Sequence, residues 1–350
     1  MDSLIYDNVV DGAHTLAIKA TDLDNKTTTV EVNFEKIPPY VPKYDGELLY
    51  MPFDGDFMNM VTFETATVVG NPGFSNESVQ GLKSYAGAPD SYLTFPAEQF
   101  QNPEFTAVFW MKVNPSPDRA GILVMGPPDP DKPDTPNNRK HGFRFFRENA
   151  GGDQRFKLNA GRGDGDSWFD GGEAADVDPT IDTWHHFAFT ISNAEIVVYV
   201  DGEIAKQGEF PGISWEGCDI LSIMSGAPRF TQWNHWSDES LMDELRIFDH
   251  VLTQEEIQGI ITDESDKDFS YTPKYDGEIF YMPFEDTYLE FVSQKEPTGI
   301  GTPGFADGKV GKAYAGATNS YLTFPTEGLQ GSKFSATFWM KTNADPDRAG

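Results

Sequence analysis

Cysteine is almost missing: the 350-residue sequence has one, Cys218. No intramolecular disulfide is possible, so core packing, polar pairing or a metal must hold the fold. A eukaryotic secreted β-protein of this size would carry more, and the low count fits a cytosolic protein or a bacterial surface protein. Cys218 itself, in the strand-like CDILSIM, reads as a small buried apolar residue. Positive charge is also short. Lys and Arg number 26 against 56 Asp and Glu, a formal net charge of −30. That excludes nucleic acid and anionic membranes as partners, because phosphate is held by cationic side chains. It suits an extracellular surface that holds divalent cations. No run is apolar enough to span a bilayer, so no membrane insertion is expected of this segment. The opening MDSLIYDN has neither the basic start nor the apolar stretch of a signal peptide. Either the chain is not exported, or it is a segment of a longer one.

Helical pattern is scarce too. It is confined to Gln254–Ile261, where Thr253 and Glu256 form the T-x-x-E of a capping box. What is abundant is strand material: 27 Phe, with 33 Gly and 24 Pro as punctuation, an all-β composition. The clearest stretch is Trp184–Gln207, WHHFAFTISNAEIVVYVDGEIAKQ. Read at period two, it is three antiparallel strands joined by turns at Asn193-Ala194 and Asp201-Gly202. Pairing Ser192 with Glu195 sets Ile191 opposite Ile196, Phe189 opposite Val198 and Phe187 opposite Val200, so one face is wholly apolar. The other face, His186, Ala188, Thr190, Val197 and Tyr199, is mixed and reads as outer surface or ligand platform. Further strands are predicted at Glu47–Phe53, Ser91–Phe95, Phe105–Val113, Gly121–Met125, Gly142–Arg147, Arg155–Ala160, Asp219–Met224 and Leu241–Phe248.

The sequence repeats itself. PKYDGE at Pro42 returns at Pro273, YMPF at Tyr50 returns at Tyr281, and PGF at Pro72 returns at Pro303. SYLTFP at Ser91 returns at Ser320, FWMK at Phe109 returns at Phe338, and PDRAG at Pro117 returns at Pro346. The second copy, 274–350, holds no counterpart of the Trp184–Gln207 meander and is expected to be truncated. The complete module is 43–262, between linkers at 37–42 and 263–273. Residues 1–36 carry two alternating strands, His14–Thr21 and Thr27–Phe34, around an Asx-rich turn at Asp22–Lys26. They resemble the last hairpin of an immunoglobulin-like or cadherin-like domain, in which Asp22 and Asp24 are either calcium ligands or turn residues.

Four pieces of the module resemble the laminin-G-like, concanavalin A-like jelly rolls of bacterial surface proteins. They are YMPFDGD at Tyr50, FTAVFWMK at Phe105, WHHFAFT…VVYVDG at Trp184 and MDELRIFDHVLTQEEI at Met242. The resemblance implies a two-sheet antiparallel sandwich, in tandem here, with one short C-terminal helix per module, a structural calcium (Ca2+) and a glycan ligand. It also implies where catalysis would sit, since glucanases of this fold align acids along one strand. The nearest acids here, Asp238, Glu239, Asp243 and Glu244, do not form that spacing, and HExxH, GxSxG, P-loop and CxxC motifs are missing. No enzyme activity is expected.

Asp54, after the first strand, and Asp243, opening the last long one, would converge on the calcium if those strands are neighbours; otherwise both cap strand ends in solvent. The acidic run Asp164-Gly-Asp166…Asp170 reads as a flexible turn. For the glycan, the residues sought are aromatics that stack on sugar C–H faces, with polar neighbours for the hydroxyls. The loop Ala227–Trp236, APRFTQWNHW, supplies Trp233, Trp236, Arg229 and His235; Trp168 and Arg144 join them from neighbouring segments. Trp168 and Trp236 either meet ligand or seal the sandwich rim. The expected function is capture of polysaccharide or oligosaccharide by tandem, non-catalytic modules on the outer face of a bacterial outer membrane, or secreted. The expected partners include a glycan importer complex. The rival reading is a spacer or protein-docking subunit of an outer-membrane transporter assembly.

Overall fold

Trp184–Gln207 folds as its alternation requires. Its first two strands pair in the predicted register, Ile191 with Ile196, Phe189 with Val198 and Phe187 with Val200. Asp201 and Gly202 both take positive φ, 50° and 77°, the backbone of a tight hairpin turn. The third strand slips register between Val198 and Tyr199, a bulge that alternation does not reveal.

The computed structural model describes residues 12–21, 24–36, 39–81, 83–265, 273–275, 277–285, 287–293, 295, 297–309, 311–326 and 329–343. They divide into two compact units, Met1–Asp45 and Gly46–Gly350. The first holds an antiparallel hairpin, β1 (Gly12–Thr21) and β2 (Thr27–Lys36), with Thr21 opposite Thr27. It matches the predicted pair of strands; Asp22 lies outside the described residues.

The second unit begins with β3 (Glu47–Met51), β4 (Met58–Asn59), β5 (Glu64–Thr65), β6 (Thr67–Val69), β7 (Gly73–Ser75), β8 (Ser84–Ala86) and β9 (Tyr92–Pro96). The long strands follow: β10 (Phe105–Lys112), β11 (Arg119–Gly126), β12 (Phe143–Ala150) and β13 (Asp153–Gly161). Then come β14 (Asp166–Asp170), β15 (Asp176–Val177), β16 (His185–Ile191), β17 (Glu195–Val200), β18 (Glu203–Glu209), β19 (Ile220–Ile223), β20 (Leu241–Phe248) and the helix α1 (Gln254–Ser265). Two eight-stranded antiparallel sheets result. One runs β18-β17-β16-β10-β20-β8-β7, with β3 on β20; the other runs β14-β13-β12-β11-β19-β9-β6, with β15 on β13. This is the expected all-β jelly-roll sandwich.

The core lies between the sheets and is built from stacked phenylalanines. Phe187 and Phe189 of one sheet meet Phe156 and Phe145 of the other at ring-centroid distances of 4.0 and 5.1 Å. Each such ring removed from water contributes about 1.5–3 kcal/mol. Alternation therefore divides every strand of the second sheet into an inner set, such as Phe143, Phe145, Phe156 and Leu158, and an outer set that carries the candidate site. The outer set of the meander is not an open platform: His186, Thr190 and Tyr199 are buried.

Two further expectations are corrected. The helix does not stop near Ile261 but continues to Ser265. Its start is as read, with the Thr253 N–H donating to Glu256 Oε2 and the Glu256 N–H to Thr253 Oγ1, 2.8 and 3.2 Å. Its last turn is held by tertiary contacts. Glu264, buried, accepts hydrogen bonds from Arg246 Nε at 2.9 Å and Trp110 Nε1 at 2.8 Å. The acidic run after Asp164 is likewise not a loose turn, because Asp166–Asp170 is strand β14 paired with β13.

Candidate functional site

Strand pairing lines up one row of side chains across the outer face of the second sheet. Trp168 lies opposite Asn159, Asn159 opposite Arg144, Arg144 opposite Val124, and Val124 opposite Ser222. The β11–β12 and β19–β20 connections fold over this row. Val124, Phe146 and Phe230 form a small apolar cluster with Trp233 packed against it. His235 is stacked on Phe230, 4.6 Å between centroids, and is fully buried. This explains why APRFTQWNHW is so aromatic: part of it is the loop's own core.

The exposed part of the arrangement is a shelf. Trp168 is 44% exposed and stands edge-on to Phe146 at 5.9 Å. Trp233 is half-buried beside Phe230. Between them lies Arg139, whose guanidinium carbon is 5.3 Å from each indole centroid, a double cation–π contact. Its nearest carboxylate oxygen, Asp166 Oδ2, is 3.8 Å away and already accepts Asn159 Nδ2 at 2.7 Å. At the loop side, Gln232 Oε1 accepts from Asn137 Nδ2 at 2.7 Å and Lys132 Nζ at 3.2 Å.

The predicted ligand residues separate in this geometry. Trp168 and Trp233 come together. Trp236 is 43% exposed, but its backbone pairs with Ala120 at the start of β11, outside the stack. Arg229 is held by Asp219 in a bidentate pair of 3.0 and 2.6 Å. Arg144 and His235 are fully buried, so neither presents a surface to a ligand. Arg144 bonds the carbonyls of His141 and Asn138, and burial pushes its guanidinium down to about 10. His235 Nε2 lies 3.2 Å from Glu148 Oε1; burial keeps the imidazole below its usual range, while His235 and Lys157 hold Glu148 down to about 2. Sequence reading missed Arg139, which sits in PNNRKHG with no periodicity to mark it.

Three of the four nearest acids, Asp238, Asp243 and Glu244, are occupied; Glu239 is half-buried. Asp238 is buried against Arg147, with Arg147 Nε to Oδ2 at 2.5 Å and Nη2 to Oδ1 at 3.3 Å. Arg246 is shared by Glu47, Glu244 and Glu264 at 2.6, 3.0 and 2.9 Å. Burial and the Glu264 charge push Glu244 up to about 8. Asp243 accepts the N–H groups of Val79 and Gln80 at 2.7 and 3.2 Å, and burial with Glu244 raises it well above the usual carboxylate range.

As expected, β3 and β20 are neighbours. Asp54 adds its own negative charge to Asp243 and Glu244, and its Oδ1 accepts the Lys83 N–H at 3.0 Å. For calcium, which takes 6–8 oxygens, these residues offer two hard carboxylates in mutual repulsion. Among the described residues no group of three His, Cys, Asp or Glu is arranged to hold a metal.

A family described as the concanavalin A-like lectin/glucanases superfamily matches residues 86–258. No curated protein sequence matches the chain. Among solved structures, domain 4 of AbnA, a GH43 extracellular arabinanase from Geobacillus stearothermophilus, in complex with arabinotriose, is 18% identical. That match covers 61% of this chain and 98% of that one with a TM-score of 0.47. The binding domain of botulinum neurotoxin DC in complex with SialylT is 11% identical over 79% of this chain and 63% of that one, TM-score 0.45. A heptameric SAP-like pentraxin from Limulus polyphemus is 12% identical over 55% and 80%, TM-score 0.36. Likeness this distant carries no inference about ligand. The strand order and the family match together place residues 86–258 in the concanavalin A-like lectin/glucanase superfamily, as a laminin-G-like module.

Proposed function

We propose that residues 43–262 form a non-catalytic carbohydrate-binding module of a bacterial cell-surface protein that captures polysaccharide outside the cell. The observation that carries this reading is the Trp168–Arg139–Trp233 shelf, with two indoles exposed in part and fixed by a cation between them. Indole faces bind the apolar C–H faces of sugars, and Asn137, Gln232 and Lys132 stand beside them for hydroxyls. The non-catalytic part is supported by the fate of three of the four nearest acids: Asp238, Asp243 and Glu244 are buried and engaged, and Glu239 alone of the four is half-buried. A repeated module raises avidity for a repeating polymer without new contacts.

The test is affinity electrophoresis of the full chain through gels containing single polysaccharides, with Trp168→Ala in parallel. Retardation by at least one polymer, abolished by the substitution, is expected. Equal mobility of both proteins in every gel sinks the reading.

Calcium belongs to the same proposal, held by Asp54 and Asp243 with backbone carbonyls, where it would relieve the repulsion among Asp54, Asp243 and Glu244. Its test is calorimetric. Millimolar calcium should raise the melting temperature and a chelator should lower it by mass action; a melting temperature blind to both removes the ion.

A further inference from the structure

Arginines in this chain have acids to spare, 56 against 26 bases. Among the described residues, six of them have a carboxylate oxygen within 3.3 Å: Arg119, Arg147, Arg155, Arg162, Arg229 and Arg246. The other two are Arg139 and Arg144, and they are neighbours in charge. Arg139 is close enough to oppose the protonation of Arg144. Arg144 is fully buried, bonds only carbonyls, and its Nε has no hydrogen-bond partner. Arg139 is 31% exposed and its nearest carboxylate stands off at 3.8 Å. In a chain of charge −30, the face that, among the described residues, carries two guanidiniums lacking a close acid is also the face with the aromatic shelf.

A guanidinium with an aromatic ring on each flank has its orientation fixed and its hydrogen-bonding edge directed away from the rings. That edge matches the two oxygens of a carboxylate or sulfate, which Arg binds bidentately and Lys does not. Asp166 neutralises only part of the local charge and is itself committed to Asn159. Arg144, buried behind, adds a fixed positive potential that solvent screens poorly.

We infer that the shelf takes an acidic glycan, its oxyanion on the edge of Arg139 and its sugar rings on Trp168 and Trp233. This rests on the carbohydrate-binding reading and narrows it. A net charge of −30 gives such a polymer no long-range attraction to the chain, so binding depends on contact at the shelf.

The experiment is titration of the full chain with paired polymers of one backbone: polygalacturonate against its fully methyl-esterified form, and dextran sulfate against dextran. The first pair reports a carboxylate and the second a sulfate. Tighter binding of the charged member of either pair is expected, with Arg139→Gln weakening it about 10- to 100-fold while leaving the melting temperature unchanged. Arg139→Lys, which keeps the charge without the fork, should recover only part of the loss. Binding of the neutral member as tightly as the charged one, still abolished by Trp168→Ala, overturns the inference and leaves the carbohydrate-binding reading standing. Arg139→Gln without effect on the charged polymer overturns it as well, and binding to none of the four polymers overturns it while leaving the carbohydrate-binding reading to its own electrophoretic test.

Discussion

The two copies of the repeat, residues 42–112 and 273–341, share their small contacts and differ in their burial. Phe57 stacks on Phe74 at 4.6 Å and 21°; in the second copy Tyr288 stacks on Phe305 at 4.5 Å and 22°. Asn59 Oδ1 accepts the Tyr50 and Val61 N–H groups, and Glu290 Oε1 accepts those of Tyr281 and Val292. Phe53 and Phe284 both take a positive φ, 57° and 61°. The β7–β8 hairpin recurs as β22 (Gly304–Asp307) with β23 (Lys312–Ala315), and the β6–β9 pair as β21 (Thr298–Ile300) with β24 (Tyr321–Thr323). Yet Phe109 and Met111 are fully buried, whereas Phe338 and Met340 are 78% and 71% exposed. Short-range chemistry reproduces itself wherever the sequence recurs. The burial of FWMK in the first copy comes from β16 and β20, segments from far along the chain.

The largest effect expected follows from that contrast. Phe109→Ala should destabilise the main unfolding transition by about 3–5 kcal/mol, by lost burial plus a cavity. Phe338→Ala, the same residue in the second copy, should stay within about 0.5 kcal/mol. Scanning calorimetry of the full chain checks both; equal losses would erase the comparison.

Next in size is a pH effect at the closing strand β20 of the first copy. Glu244, near 4.5 when unfolded and raised to about 8 when folded, binds more protons in the native state between those values. Its contribution is therefore fully present at low pH and is lost as pH rises from about 4.5 to 8, on the order of a few kcal/mol. Glu244→Gln should flatten the fall in melting temperature over that window. A wild-type melting temperature that climbs between pH 5 and 8, or a variant with an unchanged slope, would contradict the assignment.

A smaller and symmetrical effect is expected at Asp54 and at Glu285, the acid in the corresponding position of the second copy. Asp54 Oδ1 accepts the Lys83 N–H at 3.0 Å and Glu285 Oε2 accepts the Lys312 N–H at 2.8 Å. Asp54→Ala and Glu285→Ala should each increase amide exchange of that lysine, with a loss of about 1–2 kcal/mol. An effect at Asp54 alone would give that acid a role that its counterpart lacks, such as the proposed calcium.

The same division explains what the sequence disclosed. The Phe187/Val200 register, the Thr253 capping box, the Asp201-Gly202 turn and the β3–β20 neighbourhood rest on local pattern or on family resemblance, and each is present. The end of α1 was out of reach, since it depends on Glu264 finding Arg246 and Trp110. The candidate site was half legible. Tryptophans in polar segments drew attention to Trp168 and Trp233, but no pattern separates His235, which packs inside the loop, from a ligand-facing residue. Arg139 became visible only when strand pairing placed its loop between the two indoles.

Trp168 offers the most direct test of the central claim. Its ring is exposed enough that Trp168→Ala should change the melting temperature little, within about 0.5–1 kcal/mol. Titration of the full chain with a retained polysaccharide should show saturable binding in the wild type and a loss of at least about tenfold in the variant. Unchanged affinity in a folded Trp168→Ala protein would contradict the account and move the site off this face.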